Sequence, residues 1–146
     1  MGGDLRDGRS DAVVGPAYRP LSPDAAPPAP GTVLCQLADI ADPGGREFSF
    51  GRPPHEFTMF VIRRGSQAFG YVNDCPHARS PLNWLPDKFL DPSRTLIQCA
   101  THGARFRIED GFCVGGPCPG KSLLAVPVRV EGGAVVVTAG YAGRIT

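Results

Sequence analysis

Two short motifs carry the side chains best suited to chemistry in this chain. The first is Cys75-Pro-His77, the second is Cys99-Ala-Thr-His102-Gly, and 21 residues (78–98) separate them. Each motif supplies one thiol and one imidazole, and together they use two of the chain's three histidines. Thiolates and imidazoles in combination form a transition-metal ligand set. The spacing therefore predicts a metal site made by these four side chains.

Zinc and an iron–sulfur cluster are the two candidates for such a ligand set. A structural zinc finger usually has two cysteines close together, followed by two histidines close together. Here each motif is mixed, which suits a two-iron cluster with both thiolates on one iron and both imidazoles on the other. The motifs resemble the two ligand loops of the Rieske [2Fe-2S] proteins. The resemblance implies one [2Fe-2S] cluster bound by Cys75, His77, Cys99 and His102, with zinc as the alternative.

The resemblance continues beyond the ligands, over about residues 32–140. Leu82 stands where Rieske ferredoxins carry an apolar residue over the cluster, and Phe106 stands where an aromatic side chain turns inward. Residues 116–119 (Gly-Pro-Cys-Pro) resemble the proline-rich third loop, and residues 126–137 resemble the last hairpin. The resemblance implies an all-β fold, a Rieske-type antiparallel β-sandwich or barrel with an inserted cluster-binding subdomain.

Four positions depart from the high-potential Rieske proteins of respiratory complexes. Those proteins carry an extra cysteine in each ligand loop, joined as a disulfide, where this chain has Ser80 and Thr101. They also direct a serine and a tyrosine hydroxyl at the cluster sulfurs, where this chain has Ala104 and Phe106. Neither of these two side chains can donate a hydrogen bond. The sequence therefore resembles the low-potential, ferredoxin-like branch.

Short runs of β-forming residues separated by turn residues begin at residue 32. The predicted strands are 33–40, 57–63, 68–73, 95–99, 104–108, 123–130 and 134–138. Nothing indicates a long amphipathic helix. We expect one short turn within residues 82–91, with Trp84 and Phe89 as its packing residues.

The chain divides into a tail, one domain and a second short tail. Residues 1–31 are rich in proline and poor in large apolar residues, so we expect them to be disordered. The Rieske domain is predicted over 32–140, and 141–146 is a short C-terminal tail. A chain of 146 residues is long enough for one domain with its own core.

Composition excludes several classes of partner. The formal net charge is +1, which provides no electrostatic basis for binding nucleic acid or a membrane surface. No apolar run approaches a membrane span, and the first residues lack the pattern of a secretory signal. We therefore expect a cytoplasmic protein with no nucleic-acid or membrane partner.

Three cysteines remain once the two predicted ligands are set aside, and an odd remainder does not predict a secreted disulfide framework. Cys35 lies in an apolar, strand-like run and is predicted to be a small core residue. Cys113 and Cys118 are predicted to be ordinary thiols in a Gly/Pro-rich loop. A bond or a redox switch between them is the alternative.

The residue content also limits the possible functions. A terminal Rieske oxygenase needs a second iron held by two histidines and a carboxylate, and only His55 remains for it. No dinucleotide or flavin fingerprint is present. We therefore expect that the protein has no catalytic site of its own. We expect it to transfer single electrons from a flavoprotein reductase to a terminal oxygenase or a related redox enzyme. If it is a free carrier, we expect it to be monomeric. The alternatives are a small subunit of a larger complex resembling nitrite reductase, and a redox-sensing or structural metal domain.

Overall fold

The protein is nearly all β in a computed structural model that describes residues 27–52, 56–75, 81–83, 85–100, 103–117 and 120–139. Its strands are β1 (Val33–Gln36), β2 (Gly44–Phe50), β3 (Phe57–Arg64), β4 (Gln67–Val72), β5 (Leu96–Gln98), β6 (Arg105–Arg107), β7 (Cys113–Gly115), β8 (Val128–Glu131) and β9 (Ala134–Val137). A 3₁₀ turn, Leu37–Asp39, follows β1. In these ranges no helix is long and apolar enough to cross a membrane. The tail expected over residues 1–31 lies outside them as far as residue 26, and the short tail 141–146 lies outside them entirely.

Six of the described strands form the base of the molecule as two antiparallel three-stranded sheets, ordered β2-β3-β4 and β1-β9-β8. The segment before β8 joins the sheets by pairing with β4. Val72 N–H donates to the Leu124 carbonyl at 2.8 Å, and Val126 N–H donates to the Gly70 carbonyl at 2.9 Å. A Cβ at Gly70 would lie 2.5 Å from the Val126 carbonyl oxygen, so glycine permits this close approach. The predicted antiparallel all-β base is confirmed.

The third sheet, ordered β5-β6-β7, is the inserted subdomain. It lies in the sequence between β4 and β8. The Cys75 motif precedes its first strand, and the Cys99 motif lies between β5 and β6. β5 pairs with β6 in antiparallel register, with Ile97 opposite Phe106. The register of β6 and β7 shifts between Arg105 and Phe106, so one extra residue, Val114, is accommodated in β7. The predicted insertion is therefore confirmed as a small sheet of its own.

Strand β3 is the wall that the base and the subdomain share. Successive side chains of a strand point to opposite faces, and four consecutive β3 residues are fully buried. Met59 and Val61 belong to the core of the base, which also contains Val126 and Val135. Phe60 and Ile62 belong to a second buried cluster, in the subdomain. One face of β3 therefore belongs to the core of the base and the opposite face to the core of the subdomain.

The subdomain also covers the outer edge of β2. The N–H of Glu47 on that edge donates to Oδ1 of Asp87 at 2.8 Å. The Arg94 guanidinium donates to the Pro43 carbonyl at 2.6 Å. Phe89 stacks on Phe60, with ring centroids 4.2 Å apart. The short turn expected before Phe89 is present and that ring is buried as predicted, whereas Trp84 lies outside the described residues.

Two strands were missing from the sequence prediction, and two others begin or end elsewhere. Strand β2 opens with two glycines, which weaken strand propensity, but a Cβ at Gly45 would lie 2.9 Å from Ile62 and 3.1 Å from Phe89. Packing between base and subdomain therefore selects glycine there. β7 was also missed, because it is three residues long and follows a turn. The predicted strand 33–40 ends at residue 36 in the 3₁₀ turn, and 123–130 becomes a strand only from residue 128.

Candidate metal centre

Cys75 follows β4 through Asn73 and Asp74. The Asn73 N–H donates to the Thr58 carbonyl at 2.9 Å, and the Asp74 N–H donates to the Val72 carbonyl at 2.9 Å. These bonds continue the order of the strand to the cysteine, which is fully buried. His77 and Ser80, the other predicted residues of this loop, lie outside the described residues.

Cys99 directly follows β5, and Ala104 directly precedes β6. The Cys99 N–H donates to the Ala104 carbonyl at 2.8 Å, and the Gly103 N–H donates back to the Cys99 carbonyl at 2.9 Å. The second motif is therefore a tight turn between two paired strands, with Cys99 fully buried at its start. Thr101 and His102 fall within this turn but outside the described residues.

Gly103 is required for its backbone conformation. Its φ is +73°, in the left-handed region that glycine adopts without strain. Among the described residues the nearest atom to a Cβ there would be Nε2 of Gln98, at 3.7 Å. Gly103 therefore serves to close the turn of the second motif.

Leu82 bridges the two ligand loops through its backbone. Its carbonyl accepts a hydrogen bond from the Ala100 N–H at 2.7 Å, one residue after Cys99. Its own N–H donates to Oδ1 of Asn73 at 2.8 Å, two residues before Cys75. The Leu82 side chain is fully buried. The ends of both loops are therefore held at fixed positions relative to one another.

Both cysteines belong to one buried cluster, the cluster that Phe60 and Ile62 reach from β3. Leu82, Ala104 and Phe106 belong to the same cluster, and all three are fully buried. The inward direction of Phe106 is therefore confirmed. Because Ala104 and Phe106 have no donor group, neither side chain can give a hydrogen bond to a sulfur placed among them.

A third loop packs against the second. Gly116 has φ +83°, and a Cβ there would lie 2.7 Å from Cα of Ala104. Only glycine allows this contact, which holds the loop after β7 against the backbone of the second motif. Cys113 is buried and its Sγ donates to the Gly115 carbonyl at 3.2 Å. Its predicted alternative partner, Cys118, lies outside the described residues, as do Pro119 and His55.

The described part of the site fits a [2Fe-2S] cluster by its donor chemistry. Two cysteines are both removed from water, lie at the ends of linked loops, and share one apolar cluster. Soft thiolate donors in such surroundings suit iron–sulfur clusters and zinc alike. Among the described residues no three His, Cys, Asp or Glu side chains converge on one point. The structure therefore brings together the two predicted thiol ligands and leaves the two imidazoles outside its description.

Charges surround the subdomain sheet unevenly. Arg105 and Arg107 both point outward from β6, since Phe106 between them points inward. Arg107 is bound to the Asp110 carboxylate, and hydrogen bonds from Arg107 and the Phe112 N–H lower the pKa of Asp110. Within the described residues Arg105 has no such acidic neighbour. Among these residues it is the cation next to the second motif that has no acidic partner.

Sequence reasoning overlooked Asn73 and Asn83, whose buried or part-buried hydrogen bonds hold the loops in place. It also overlooked Tyr71, whose buried hydrogen bond joins the base to the subdomain at Ile108. The sequence offered only a weak indication of the role of Asn73, namely that this amide lies two residues before the predicted ligand Cys75. Its partners lie 9 and 10 residues further along the chain and could be found only once the loops were folded.

Comparison with known proteins identifies the family. A family model described as Rieske [2Fe-2S] domain matches residues 32–138, whereas no curated protein sequence matches the chain significantly. Among solved structures, the ferredoxin of carbazole 1,9a-dioxygenase from Nocardioides aromaticivorans is 22% identical, with a TM-score of 0.57, over 77% of this chain and 99% of that chain. A ferredoxin from Sphingomonas yanoikuyae is 25% identical, with a TM-score of 0.55, over 74% and 97%.

A further solved structure is the complex of reduced oxygenase and oxidised ferredoxin in carbazole 1,9a-dioxygenase. It matches at 23% identity with a TM-score of 0.56, over 73% of this chain and all of that chain. These identities support a shared fold, and the family match spans more than half of the 146 residues. The two buried cysteines, their linked loops and the inserted three-stranded sheet agree with it. The protein therefore belongs to the Rieske [2Fe-2S] domain family, whose domain binds a [2Fe-2S] cluster.

Proposed function

We propose that this protein is a one-electron carrier, a Rieske-type ferredoxin, and that Cys75, His77, Cys99 and His102 bind its cluster. The observation that supports this most directly is the burial of both cysteines in one apolar cluster at linked loop ends. The mixed Cys/His motifs supply the two-plus-two ligand set that distinguishes a Rieske centre from four-cysteine clusters.

A cluster held by these four residues would supply one-electron exchange. The chain's own residues set the conditions for this exchange. Leu82, Ala104 and Phe106 exclude water from the thiolate side, and the turn closed by Gly103 holds the second loop. Because the thiolates are shielded, the imidazole side is the path by which we expect electrons to enter and leave.

We propose a flavoprotein reductase as the donor and a terminal oxygenase as the acceptor. Support comes from the similar ferredoxin that was solved in complex with the oxygenase of carbazole 1,9a-dioxygenase. It also comes from the sequence, because one remaining histidine cannot build a mononuclear iron site. A free carrier is monomeric in this proposal, and a cytoplasmic location goes with soluble partners.

The domain boundaries are also part of the proposal, with the Rieske domain at 32–140. Contacts just before residue 32 refine its start. The Gly31 N–H donates to the Val137 carbonyl at 2.7 Å, and the Thr32 hydroxyl donates to the Ala29 carbonyl at 2.6 Å. Pro28 is buried. A shortened protein that retains the cluster should therefore begin at residue 27 rather than 32.

The test is to purify the full chain, measure iron, acid-labile sulfide and zinc, and follow electron transfer. We expect two irons and two sulfides per chain, a rhombic signal in electron paramagnetic resonance (EPR) after reduction, and turnover of a terminal oxygenase that depends on this protein and a reductase. Cys75→Ser and Cys99→Ser should lose the cluster.

Cys35→Ser is the matched control, because Cys35 packs against the core of the base rather than the cluster of the two ligand cysteines. It should retain full iron content. Stoichiometric zinc without iron or sulfide would contradict the proposal. A protein that copurifies only as part of a larger enzyme would favour the fixed-subunit alternative.

A further inference from the structure

Asn73 occupies a special position between the base and the centre. It is the first residue after β4, lies two residues before Cys75, and is only 3% exposed. Its side chain makes two hydrogen bonds, accepting from the Leu82 N–H at 2.8 Å and donating to Oδ1 of Asn83 at 3.0 Å. A buried primary amide that uses both its donor and its acceptor is specified by chemistry, not only by volume.

The acceptor side of this amide reaches the second ligand loop in two steps. The Asn73 side chain accepts a hydrogen bond from the Leu82 N–H. The Leu82 carbonyl in turn accepts a hydrogen bond from the Ala100 N–H at 2.7 Å. Ala100 is bonded directly to Cys99. The path from Cys75 to Cys99 therefore runs through the Asn73 side chain, the N–H and the carbonyl of Leu82, and the N–H of Ala100.

The donor side of the amide anchors the path in the base. Asn83 in turn donates to Oε1 of Glu47 at 3.0 Å and to the Leu85 carbonyl at 2.9 Å. Glu47 belongs to β2, where it is paired with Phe60 of β3. The chain of bonds thus ends on a strand of the rigid base sheet.

We propose that Asn73 is a positioning residue that sets the separation of the two ligand loops and, through it, the geometry of the cluster. The role rests on the proposed function, because it concerns the cluster bound by Cys75 and Cys99. Removing the amide leaves the Leu82 N–H without an acceptor in a fully buried position, and that peptide must shift to find water. Water admitted beside the thiolates stabilises the negative charge added on reduction, which favours the reduced form.

The test compares Asn73→Ala, Asn73→Asp and Asn83→Ala with the wild-type full chain. The readouts are the EPR spectrum of the reduced cluster, the midpoint potential, and the rate of iron loss to a chelator. Asn73→Ala should broaden or shift the EPR lines, raise the midpoint, and release iron about fivefold faster, the factor for one ordinary hydrogen bond. Asn73→Asp retains an acceptor for Leu82 but loses the donor, so its iron release should be intermediate, whereas its carboxylate beside the thiolates should lower the midpoint rather than raise it. Asn83→Ala leaves the Leu82 bond in place and should change the same readouts least.

Tyr71→Phe is the matched control. It also removes one buried hydrogen bond from a residue of β4, to the Ile108 carbonyl, but that bond is not on the path between the loops. It should lower thermal stability while leaving the EPR spectrum and midpoint unchanged. An Asn73→Ala protein with wild-type EPR, midpoint and iron release would overturn the positioning role while leaving the proposed function intact. Parallel changes in Asn73→Ala and Tyr71→Phe would also overturn it, and a wild-type chain without iron would refute both proposals.

Discussion

The hydroxyl of Tyr71 donates a buried hydrogen bond of 2.6 Å to the backbone carbonyl of Ile108. Tyr71 lies on β4 of the base, and Ile108 follows β6 of the subdomain, so this bond joins a base sheet to the subdomain sheet away from the two ligand loops. The backbone beyond Ile108 closes over the ring, because a Cβ at Gly111 would lie 2.8 Å from Cε1 of Tyr71. Burial raises the pKa of Tyr71, and the charges of Asp110 and Glu109 add to the rise.

Replacing Tyr71 with phenylalanine should cost about 1–3 kcal/mol of unfolding free energy, because the Ile108 carbonyl loses its donor in a buried site. The pH dependence should change as well. A raised tyrosine pKa stabilises the fold fully below the unfolded value of about 10, and that contribution is lost as pH rises above it. Urea unfolding between pH 8 and about 11 tests both effects. Wild-type stability should fall over this range more steeply than that of Tyr71→Phe, and equal slopes would contradict the assignment.

Asp91 should make the fold sensitive to acid. Burial disfavours its charge, but hydrogen bonds from the Ser93 hydroxyl and the N–H groups of Leu96, Thr95 and Arg94 outweigh that effect and lower its pKa. A lowered pKa stabilises the fold above the unfolded value of about 3.9, and the contribution disappears as pH falls through the folded value. These bonds shape the loop that leads into β5 and Cys99.

Asp91→Asn should therefore be less stable than wild type at neutral pH, by about 1–2 kcal/mol, and show a smaller loss of stability toward pH 3. Ser93→Ala removes one of the donors, at 2.7 Å, and should give a partial effect. Denaturant unfolding at several pH values checks both variants. A wild-type curve parallel to that of Asp91→Asn would show that the carboxylate has no part in acid sensitivity.

How much was predictable depends on the range of the interactions. Ligand chemistry is local, so Cys75 and Cys99 with their neighbouring histidines indicated a metal centre without any structure. Strands rich in β-branched and aromatic residues, such as β3, were predictable for the same reason. The Gly-Gly opening of β2 was not, because a Cβ at Gly44 would clash with Ala41, and one at Gly45 would clash with Ile62 on the neighbouring strand and with Phe89 of the subdomain.

The supports of the site, and the bond that joins base to subdomain, depend on contacts distant in sequence. Asn73 bonds to Leu82 and Asn83, and Tyr71 bonds to Ile108, 37 residues away. No periodicity or motif marks such pairs, because each forms only after the base and the subdomain have packed. The four ligands could therefore be proposed from the sequence, whereas the scaffold that spaces the two cysteines required the fold.

The midpoint potential should lie in the lower half of the Rieske range, which runs from about −150 to +300 mV. Ala104 and Phe106 are both fully buried in the cluster of the two cysteines and offer no donor. Phe106→Tyr should raise the midpoint by about 40 mV, since one net hydrogen bond is worth about 1 kcal/mol and 59 mV corresponds to a tenfold change for one electron. Ala104→Ser should act in the same direction.

Phe48→Tyr is the control for the potential. Phe48 packs against the core of the base, so this substitution adds a hydroxyl away from the two cysteines. Its midpoint should equal that of the wild type. Protein-film voltammetry of all four proteins measures the series. A wild-type midpoint near the top of the range, or a Phe106→Tyr midpoint that does not move, would contradict the low-potential assignment.

Arg105 should help to steer the redox partner. Residues 75–107 contain five cationic and two acidic side chains, a local charge of +3, compared with +1 for the whole chain. Of the two arginines nearest the second motif, Arg107 is bound to Asp110, whereas Arg105 is exposed and has no acidic neighbour in the described residues. Arg79 adds a further cation in the first loop but lies outside them. An acidic patch on the partner would be attracted to this end of the protein, with an association rate that falls as salt rises.

Arg105→Glu, alone and with Arg79→Glu, should therefore slow electron transfer at low ionic strength several-fold and flatten its salt dependence, with iron content unchanged. Arg129→Glu is the control with the same change in charge. The pairs Val72–Leu124 and Gly70–Val126 show that the chain runs away from the Cys75 end of β4 as it approaches β8, so Arg129 lies toward the opposite end. Stopped-flow reduction of the partner at 20 to about 500 mM salt separates the variants. If Arg105→Glu and Arg129→Glu change the rate equally, only net charge matters and Arg105 has no docking role.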